Sequence, residues 1–207
     1  MNTTDLASHG PVIPVIVIHK LEDAVPMAQA LVDGGVKVLE ITLRTPVALK
    51  CMEAIARSVP GAILGAGTVR SIADAKAAKD AGCVFAVSPG YTSPIGLACR
   101  EIGLPLLPGV STGSEVMQAG TDGYSFLKLF PATAVGGIPL LKALSGPFPD
   151  VMFCPTGGIT VETAPQFLAL PNVIVCGGSW LTPNDAVAAK DWARITKLAK
   201  EAGALRA

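Results

Sequence analysis

Eight short apolar runs recur along the chain at a nearly constant spacing, and this repeat limits the fold more than any other feature. The runs begin near residues 12, 37, 62, 83, 104, 125, 151 and 173, at intervals of 21 to 26 residues. Residue patterns typical of amphipathic helices lie between them. A regular alternation of strand and helix predicts a parallel sheet with helices as crossover connections.

Eight strand and helix units in 207 residues suit a compact barrel in which both faces of every strand are covered. A doubly wound open sheet is the competing architecture, and periodicity alone leaves it open. Polar residues that cluster where strands end favour the barrel. We therefore predict an α/β protein with a single (β/α)8 TIM barrel over residues 1–207, including a short N-terminal segment of about residues 1–11.

Helix boundaries are marked by capping residues. Four pairs have the spacing of an N-cap with a first-turn proline or of a capping box. We expect the first helix to begin near Glu22 and to end at Gly34 and Gly35, since glycine adopts the left-handed conformation that ends helices. The four pairs are Thr45–Pro46, Ser71–Asp74, Thr112–Glu115 and Thr182–Pro183.

Charge and cysteine content exclude several classes of protein. Lys plus Arg and Asp plus Glu both number 16, so the chain lacks the basic excess of a nucleic-acid binder. The longest apolar segment, PVIPVIVI, is far below the roughly 20 residues of a membrane span, and MNTTDLASHG does not have the pattern of a signal peptide. Five cysteines without a CxxC pair are typical of a reducing compartment. We predict a cytoplasmic protein without nucleic-acid or membrane partners.

Lys128 is the most informative residue among those at the predicted strand ends, where barrels of this type carry their reactive groups. Strand alternation in FLKLFPA places Phe126, Lys128 and Phe130 on one face. Apolar surroundings disfavour the ammonium form, and a neutral amine adds to ketones. The alternative is a lysine that reaches the strand end or pairs with a carboxylate.

Two more charged residues lie in the segment LEITLRT at the second predicted strand. Glu40 falls on an apolar strand, where an inward carboxylate is costly unless it is paired or functional. It is a candidate for proton transfer, and the alternative is a structural ion pair with Arg44 or Lys128. Arg44 offers a planar donor pair for a substrate carboxylate, and otherwise it is an exposed loop residue.

Glycine pairs follow the last two predicted strands, at Gly157–Gly158 and at Gly177–Gly178, and the second pair precedes Ser179. Barrels often bind a phosphate at this place through backbone N–H groups. The alternative for each pair is a tight turn that requires a positive φ. We interpret the two pairs together as a candidate phosphate site.

The sequence has few residues or motifs that could bind a metal or a nucleotide. His9 and His19 are the only histidines, and neither has the spacing of a metal motif. The segment GAGTVRS lacks the third glycine of a dinucleotide fingerprint. We predict neither a metal nor a cofactor.

A set of ordered motifs, which spans nearly the whole chain, resembles one family. The motifs are PVIPVIVI, LEITLRT, GAGTV, SPG, LPGVST, KLFPA, CPTGGI and GGSW. They are similar to those of the 2-dehydro-3-deoxy-6-phosphogluconate aldolases of the Entner–Doudoroff pathway, members of which are also described as 4-hydroxy-2-oxoglutarate aldolases. The resemblance implies a homotrimeric (β/α)8 barrel that acts as a class I aldolase without a metal.

The resemblance also implies a role for individual residues. Lys128 would form the Schiff base with the substrate, and Glu40 would act as acid and base. The implied binding residues are Arg44 and Thr68 for the pyruvate-end carboxylate, Pro89 and Phe130 for the pocket wall, Thr156 for the sugar hydroxyls, and Gly157, Gly158, Gly178 and Ser179 for the phosphate.

Three alternatives remain at this point. A sister family cleaves the galacto-configured substrate, but tends to have an arginine after strand one and an apolar residue in place of Thr156. This chain has His19 and Lys20 after strand one, and their role is open. A phosphosugar isomerase or epimerase would use Glu40 as base, and a non-catalytic barrel would bind a phosphorylated metabolite as a regulator.

Overall fold

The computed structural model describes residues 3–206, which form an α/β fold with parallel strands. The strands are β1 Val12–Ile16, β2 Val38–Thr42, β3 Ile63–Gly67, β4 Phe85–Val87, β5 Leu106–Leu107, β6 Gly109–Val110, β7 Phe126–Leu129, β8 Met152–Pro155 and β9 Cys176–Gly178. The α-helices are α1 Ala24–Asp33, α2 Ala48–Ser58, α3 Ile72–Asp80, α4 Ser93–Glu101, α5 Gly113–Thr121, α6 Gly137–Ser145, α7 Ala164–Leu168, α8 Asn184–Ala188 and α9 Trp192–Gly203.

Hydrogen bonding divides the described strands between two sheets. One has the order β5-β4-β3-β2-β1-β9, and the other has the order β6-β7-β8. The fifth predicted strand is split at Pro108, which has no N–H group for a ladder but whose carbonyl accepts a 2.8 Å hydrogen bond from the Lys128 amide. At the opposite edges of the two sheets, isolated parallel bridges join Thr156 with Gly177 and Phe153 with Val173. The prediction of an α/β fold with parallel strands is confirmed.

Side chains of alternating strand positions separate into an inner and an outer core. The inner cluster contains Phe126 of β7, whereas Leu127 and Leu129 pack in a cluster with helix residues. The inner cluster is completed by Leu6, Ile13, Val38, Phe85, Val87, Leu107, Cys154 and Val175. Lys128 lies two residues after Phe126 and is equally buried. The predicted alternation along β7 is therefore confirmed.

Two of the four predicted helix caps are confirmed. The Ser71 hydroxyl accepts a 3.0 Å hydrogen bond from the Asp74 amide. Thr112 and Glu115 form a reciprocal capping box at the start of α5.

The predicted caps at Thr45 and Thr182 are wrong. The Thr45 hydroxyl donates to the carbonyl of Ile18 at 2.7 Å, and α2 begins only at Ala48. The helix α8 begins at Asn184 with Pro183 as its N-cap, one residue later than predicted. The first helix agrees better, because a 3-10 turn over Leu21–Asp23 leads into α1, and Gly35 takes the left-handed conformation at φ 91°.

The described chain has no helix with the length and apolar character needed to cross a bilayer. All five cysteines are buried, and no disulfide joins any of them within residues 3–206.

Candidate functional site

A buried ion pair joins two strands that are distant in sequence. The Nζ atom of Lys128 in β7 lies 3.2 Å from Oε1 of Glu40 in β2. Their side chains are 4% and 3% exposed, so water contributes little to solvating either charge. The structure thus brings together the two residues that the sequence proposed for amine and proton-transfer chemistry.

Room for the Glu40 carboxylate comes from a glycine on the next strand. A Cβ atom at Gly67, the last residue of β3, would overlap Oε1 of Glu40 and lie 2.7 Å from its Cγ. No sequence motif pointed to this role of Gly67, because a strand glycine is equally explained by a bulge or a bend.

A thiol lies next to the amine but is not available as a nucleophile. Cys154 of β8 is the register partner of Lys128 and is buried. Burial raises the pKa of the Cys154 thiol to about 12, although the charge of Lys128 and a contact with the Thr156 hydroxyl lower it. The thiolate is therefore scarce at neutral pH, which leaves the Lys128 amine as the candidate nucleophile of this cluster.

A cavity of about 130 Å³ lies at the carboxyl ends of the strands. The ring of Phe130 lines it and has its centre 5.2 Å from the Lys128 amine, so the ring connects the cavity with the ion pair. The predicted binding residues that line it are Arg44, Phe130, Thr156, Gly157, Gly158, Gly178 and Ser179. Gly177 of the second predicted glycine pair also lines it, and the structure adds Val15, Val17 and Ile159.

Arg44 and Thr68 form a side-chain pair at the cavity mouth. The Arg44 Nε donates a 3.0 Å hydrogen bond to the Thr68 hydroxyl. Thr68 has φ 61°, which is unusual for a β-branched residue and costs of order 1–3 kcal/mol. Strained backbone of this kind is concentrated at functional sites, and here it places the hydroxyl beside an exposed guanidinium.

The glycine pair that follows β8 and the pair within β9 affect both backbone conformation and side-chain packing. Gly157 and Gly158 have φ 102° and 76°, which favour glycine. A Cβ atom at Gly158 would overlap the Thr133 hydroxyl, and one at Gly177 would overlap the Thr156 hydroxyl. The missing side chains therefore make room for the Thr133 and Thr156 hydroxyls.

Thr68 and Pro89 are predicted binding residues outside the cavity lining, and Thr68 is connected to it through Arg44. Pro89 is half-buried, and a Cβ atom at Gly109 would come within 2.6 Å of its carbonyl oxygen. Gly109 is in turn the register partner of Lys128. Pro89 thus lies against the strand that flanks the amine. Among residues 3–206, no three side chains of the metal-binding types converge.

Comparisons with known proteins agree over nearly the full length. The family model described as KDPG and KHG aldolase matches residues 4–198. The 2-dehydro-3-deoxy-phosphogluconate aldolase of Pseudoalteromonas atlantica is 51% identical over 98% of this chain and 94% of its own length. The KHG/KDPG aldolase of Escherichia coli is 54% identical, over 93% of this chain and 91% of its own length.

A solved structure has the same architecture and a captured reaction intermediate. The crystal structure of KDPG aldolase from Legionella pneumophila holds pyruvate, captured at low pH, as a covalent carbinolamine. It matches this chain with a TM-score of 0.94 and 47% identity, covering 96% of this chain and 97% of that one.

Proposed function

The chain belongs to the KDPG and KHG aldolase family, and on that premise we propose that it is a class I aldolase with Lys128 as its Schiff-base residue. It cleaves 2-dehydro-3-deoxy-6-phospho-D-gluconate to pyruvate and D-glyceraldehyde 3-phosphate, and it acts on 4-hydroxy-2-oxoglutarate. The observation that carries this proposal is the buried amine of Lys128, 3.2 Å from the buried carboxylate of Glu40.

The first half of the mechanism forms the iminium. The ammonium of Lys128 passes a proton to Glu40, and the neutral amine adds to the C2 ketone. The resulting carbinolamine loses water when Glu40 returns the proton to the departing hydroxyl. The protonated imine then withdraws electrons from the adjacent C3–C4 bond. The carbinolamine held by the Legionella pneumophila relative is an intermediate of this kind.

The second half breaks the carbon–carbon bond. Glu40 accepts the proton of the C4 hydroxyl, the C3–C4 bond breaks, and its electron pair forms an enamine with the imine carbon. The aldehyde leaves, and Glu40 gives the proton to C3. Water then hydrolyses the imine, which releases pyruvate and restores the Lys128 ammonium.

The cavity residues orient the substrate along this reaction path. In the proposed arrangement Arg44 and Thr68 bind the pyruvate-end carboxylate, since a guanidinium and a hydroxyl already lie 3.0 Å apart there. Phe130 and Pro89 limit the space around the amine, and Thr156 meets the sugar hydroxyls. The phosphate lies at Gly157, Gly158, Gly178 and Ser179. Binding at this distant end positions the reacting carbon at Lys128.

The two sheets are, in this proposal, arcs of one closed (β/α)8 TIM barrel that makes a single domain over residues 1–207. Three observations support closure. The inner core draws residues from strands of both sheets. The bridge between Thr156 and Gly177 links the ends of β8 and β9. Pro108 alone separates β5 from β6, and its carbonyl accepts from the Lys128 amide.

The proposal further includes a homotrimer in the cytoplasm. Three consecutive outer helices each expose a large apolar side chain, at Ile72, Leu97 and Met117, with Met117 65% exposed. Exposed apolar surface of this kind is typical of association sites. Five buried cysteines without a disulfide in the described part of the chain suit a reducing compartment.

Reductive trapping tests the proposed function. Incubation with pyruvate and borohydride is expected to attach one reduced pyruvate unit to Lys128, as located by peptide mapping, because only an imine is reduced to a stable secondary amine. The Lys128→Met variant should remain unlabelled, and the Lys142→Met variant, changed at an exposed lysine of α6, should be labelled as the native protein is. An adduct on another lysine would contradict the assignment, and no adduct at all would favour an isomerase or a metabolite-binding protein.

A further inference from the structure

A second cavity opens beside the candidate active site. Its volume is about 280 Å³, and it lies between the segment after β1 and the helix α8. We call it the β1–α8 pocket, and its apolar walls include Ile18, Met27 and Val187. Val17 lines this pocket and the active-site cavity alike.

Asp23 brings a buried carboxylate to this pocket. The residue is 6% exposed and lines the pocket. Although Asp23 occupies the N-cap position of α1, its side chain caps no amide. Among residues 3–206, no side chain or backbone group forms a hydrogen bond or ion pair with this carboxylate.

No fully buried side-chain oxygen among residues 3–206 lacks a hydrogen bond, so the Asp23 carboxylate, which has no protein donor, is accessible through the pocket, where a bound donor can reach it. The negative charge of Asp23 affects the pKa values of two neighbouring residues. Burial raises the pKa of the Cys51 thiol, and the charge of Asp23 raises it further. The hydrogen bond with Glu22 and the negative charge of Glu22 raise the pKa of the Lys190 ammonium. The negative charge of Asp23 raises it further, by a smaller amount. Neither neighbour donates a hydrogen bond to the carboxylate itself.

The rim of the β1–α8 pocket carries positive charge. Lys20 and Lys190 both line it and are exposed. The Lys190 amine is already paired with Glu22 at 3.1 Å, so Lys20 is the cation that is more readily available to an added anion. The pocket therefore combines a buried acceptor with a cationic rim.

We propose that the β1–α8 pocket is a second binding site, for a small carboxylate that also carries a hydroxyl or ammonium group. The hydroxyl or ammonium donates to Asp23, the carboxylate meets Lys20, and the carbon skeleton packs on the apolar walls. The volume suits a molecule of a few carbon atoms. Neither Lys128 nor Glu40 lines this pocket, so the proposal is independent of the proposed reaction.

Equilibrium dialysis with labelled D-glycerate and L-serine tests the site, because both probes carry a carboxylate and a donor. We expect saturable binding of one probe molecule per chain. Propionate, which lacks the donor, and glycerol, which lacks the anion, should compete about tenfold less well or worse. Excess pyruvate should leave the probe bound.

Three variants separate this pocket from other places where a probe could bind. Asp23→Asn keeps the side-chain shape and should weaken binding about tenfold or more. Ala188→Phe puts a ring at the pocket wall and should abolish binding, whereas Ala189→Phe at the next exposed residue, outside the lining, should not. Absence of saturable binding to the native protein, displacement by pyruvate, or unchanged binding to Ala188→Phe would each overturn the proposal. Failure of pyruvate trapping at Lys128 would leave these results unaffected.

Discussion

The Glu40 carboxylate and the Lys128 ammonium stabilise one another where solvent cannot. Removal of one partner from a buried ion pair typically costs about 3–5 kcal/mol, because the other charge is left unpaired. The same low exposure makes transfer of a proton between them a local event, over 3.2 Å and without bulk water. Stability and chemistry at this site therefore depend on the same two side chains.

Glu40→Gln is expected to slow cleavage by about 10²- to 10⁴-fold, since the amide keeps the shape but cannot accept the C4 proton. Steady-state cleavage assays measure the loss. Borohydride trapping with pyruvate should be partly retained, because it requires the amine of Lys128. Unchanged cleavage would make Glu40 a structural partner only.

Gly67→Ala tests how the carboxylate is positioned. The added Cβ would overlap Oε1 of Glu40 and displace the carboxylate, so we expect kcat to fall by roughly 10- to 100-fold. Gly90→Ala is the matched control, because a Cβ there meets no atom within 4 Å. Equal activities of the two variants, with equal Tm, would refute the positioning role.

Single residues were predictable where their chemistry conflicts with their surroundings. A lysine and a glutamate on apolar strands stand out in any sequence, and their pairing was one of the alternatives. The 3.2 Å distance was not predictable, since 88 residues separate them. Gly67 was missed because its importance comes from the Glu40 side chain on another strand.

At the scale of one element, the capping box of α5 supplies a pH-dependent contribution to stability. The Glu115 Oε2 accepts hydrogen bonds from the Ser111 amide at 2.6 Å and from the Thr112 amide at 2.9 Å. Burial raises the pKa of Glu115, but these bonds outweigh it, and the pKa lies below its usual value of 4.5. The stabilisation is therefore complete above the unfolded-state pKa and is lost as pH falls through the folded-state pKa.

Glu115→Gln should lower the free energy of unfolding at pH 7 by about 1 kcal/mol. The difference from the native protein should shrink as pH falls from the usual 4.5 through the lower folded-state pKa, because the native carboxylate then becomes protonated. Denaturant unfolding of both proteins at pH 7 and at acidic pH measures this difference in the free energy of unfolding. Glu101→Gln, at an exposed residue ending α4, is the control. A difference that is independent of pH would contradict the role of the charge.

The success of the helix predictions depended on how local each signal was. The caps at Ser71 and Thr112 involve amides three residues away, so the sequence contains both partners. Thr45 looked the same in sequence, but its hydroxyl bonds the Ile18 carbonyl after β1. A tertiary partner of this kind cannot be read from the spacing.

For the whole molecule, a homotrimer predicts a solution mass three times that of the chain, as measured by light scattering after size-exclusion chromatography. The double variant Leu97→Glu, Met117→Glu should shift this mass toward that of one chain, because charge opposes burial of the exposed apolar side chains on α4 and α5. Val161→Glu, on the segment between β8 and α7, should leave it unchanged. A native mass equal to one chain would exclude the trimer.

The repeat of eight apolar runs predicted the parallel α/β organisation, because strand and helix periods differ and are legible in sequence. It did not predict the division into two sheets. That division needs two breaks. One is at Pro108, whose missing N–H interrupts a strand in the middle of an apolar run, and the other lies between β8 and β9, which isolated bridges alone connect.

Because Glu40 and Lys128 are far apart in sequence, they become available for folding at different times during synthesis. The ribosome delivers Glu40 and the first four strands well before Lys128 leaves the exit tunnel. A nascent chain at that stage lacks the counter-ion of Glu40 and also lacks Phe126 and Cys154 of the inner core. Cotranslational compaction of the first half is therefore expected to wait for β7, and a fragment truncated before that strand should remain a client for chaperones.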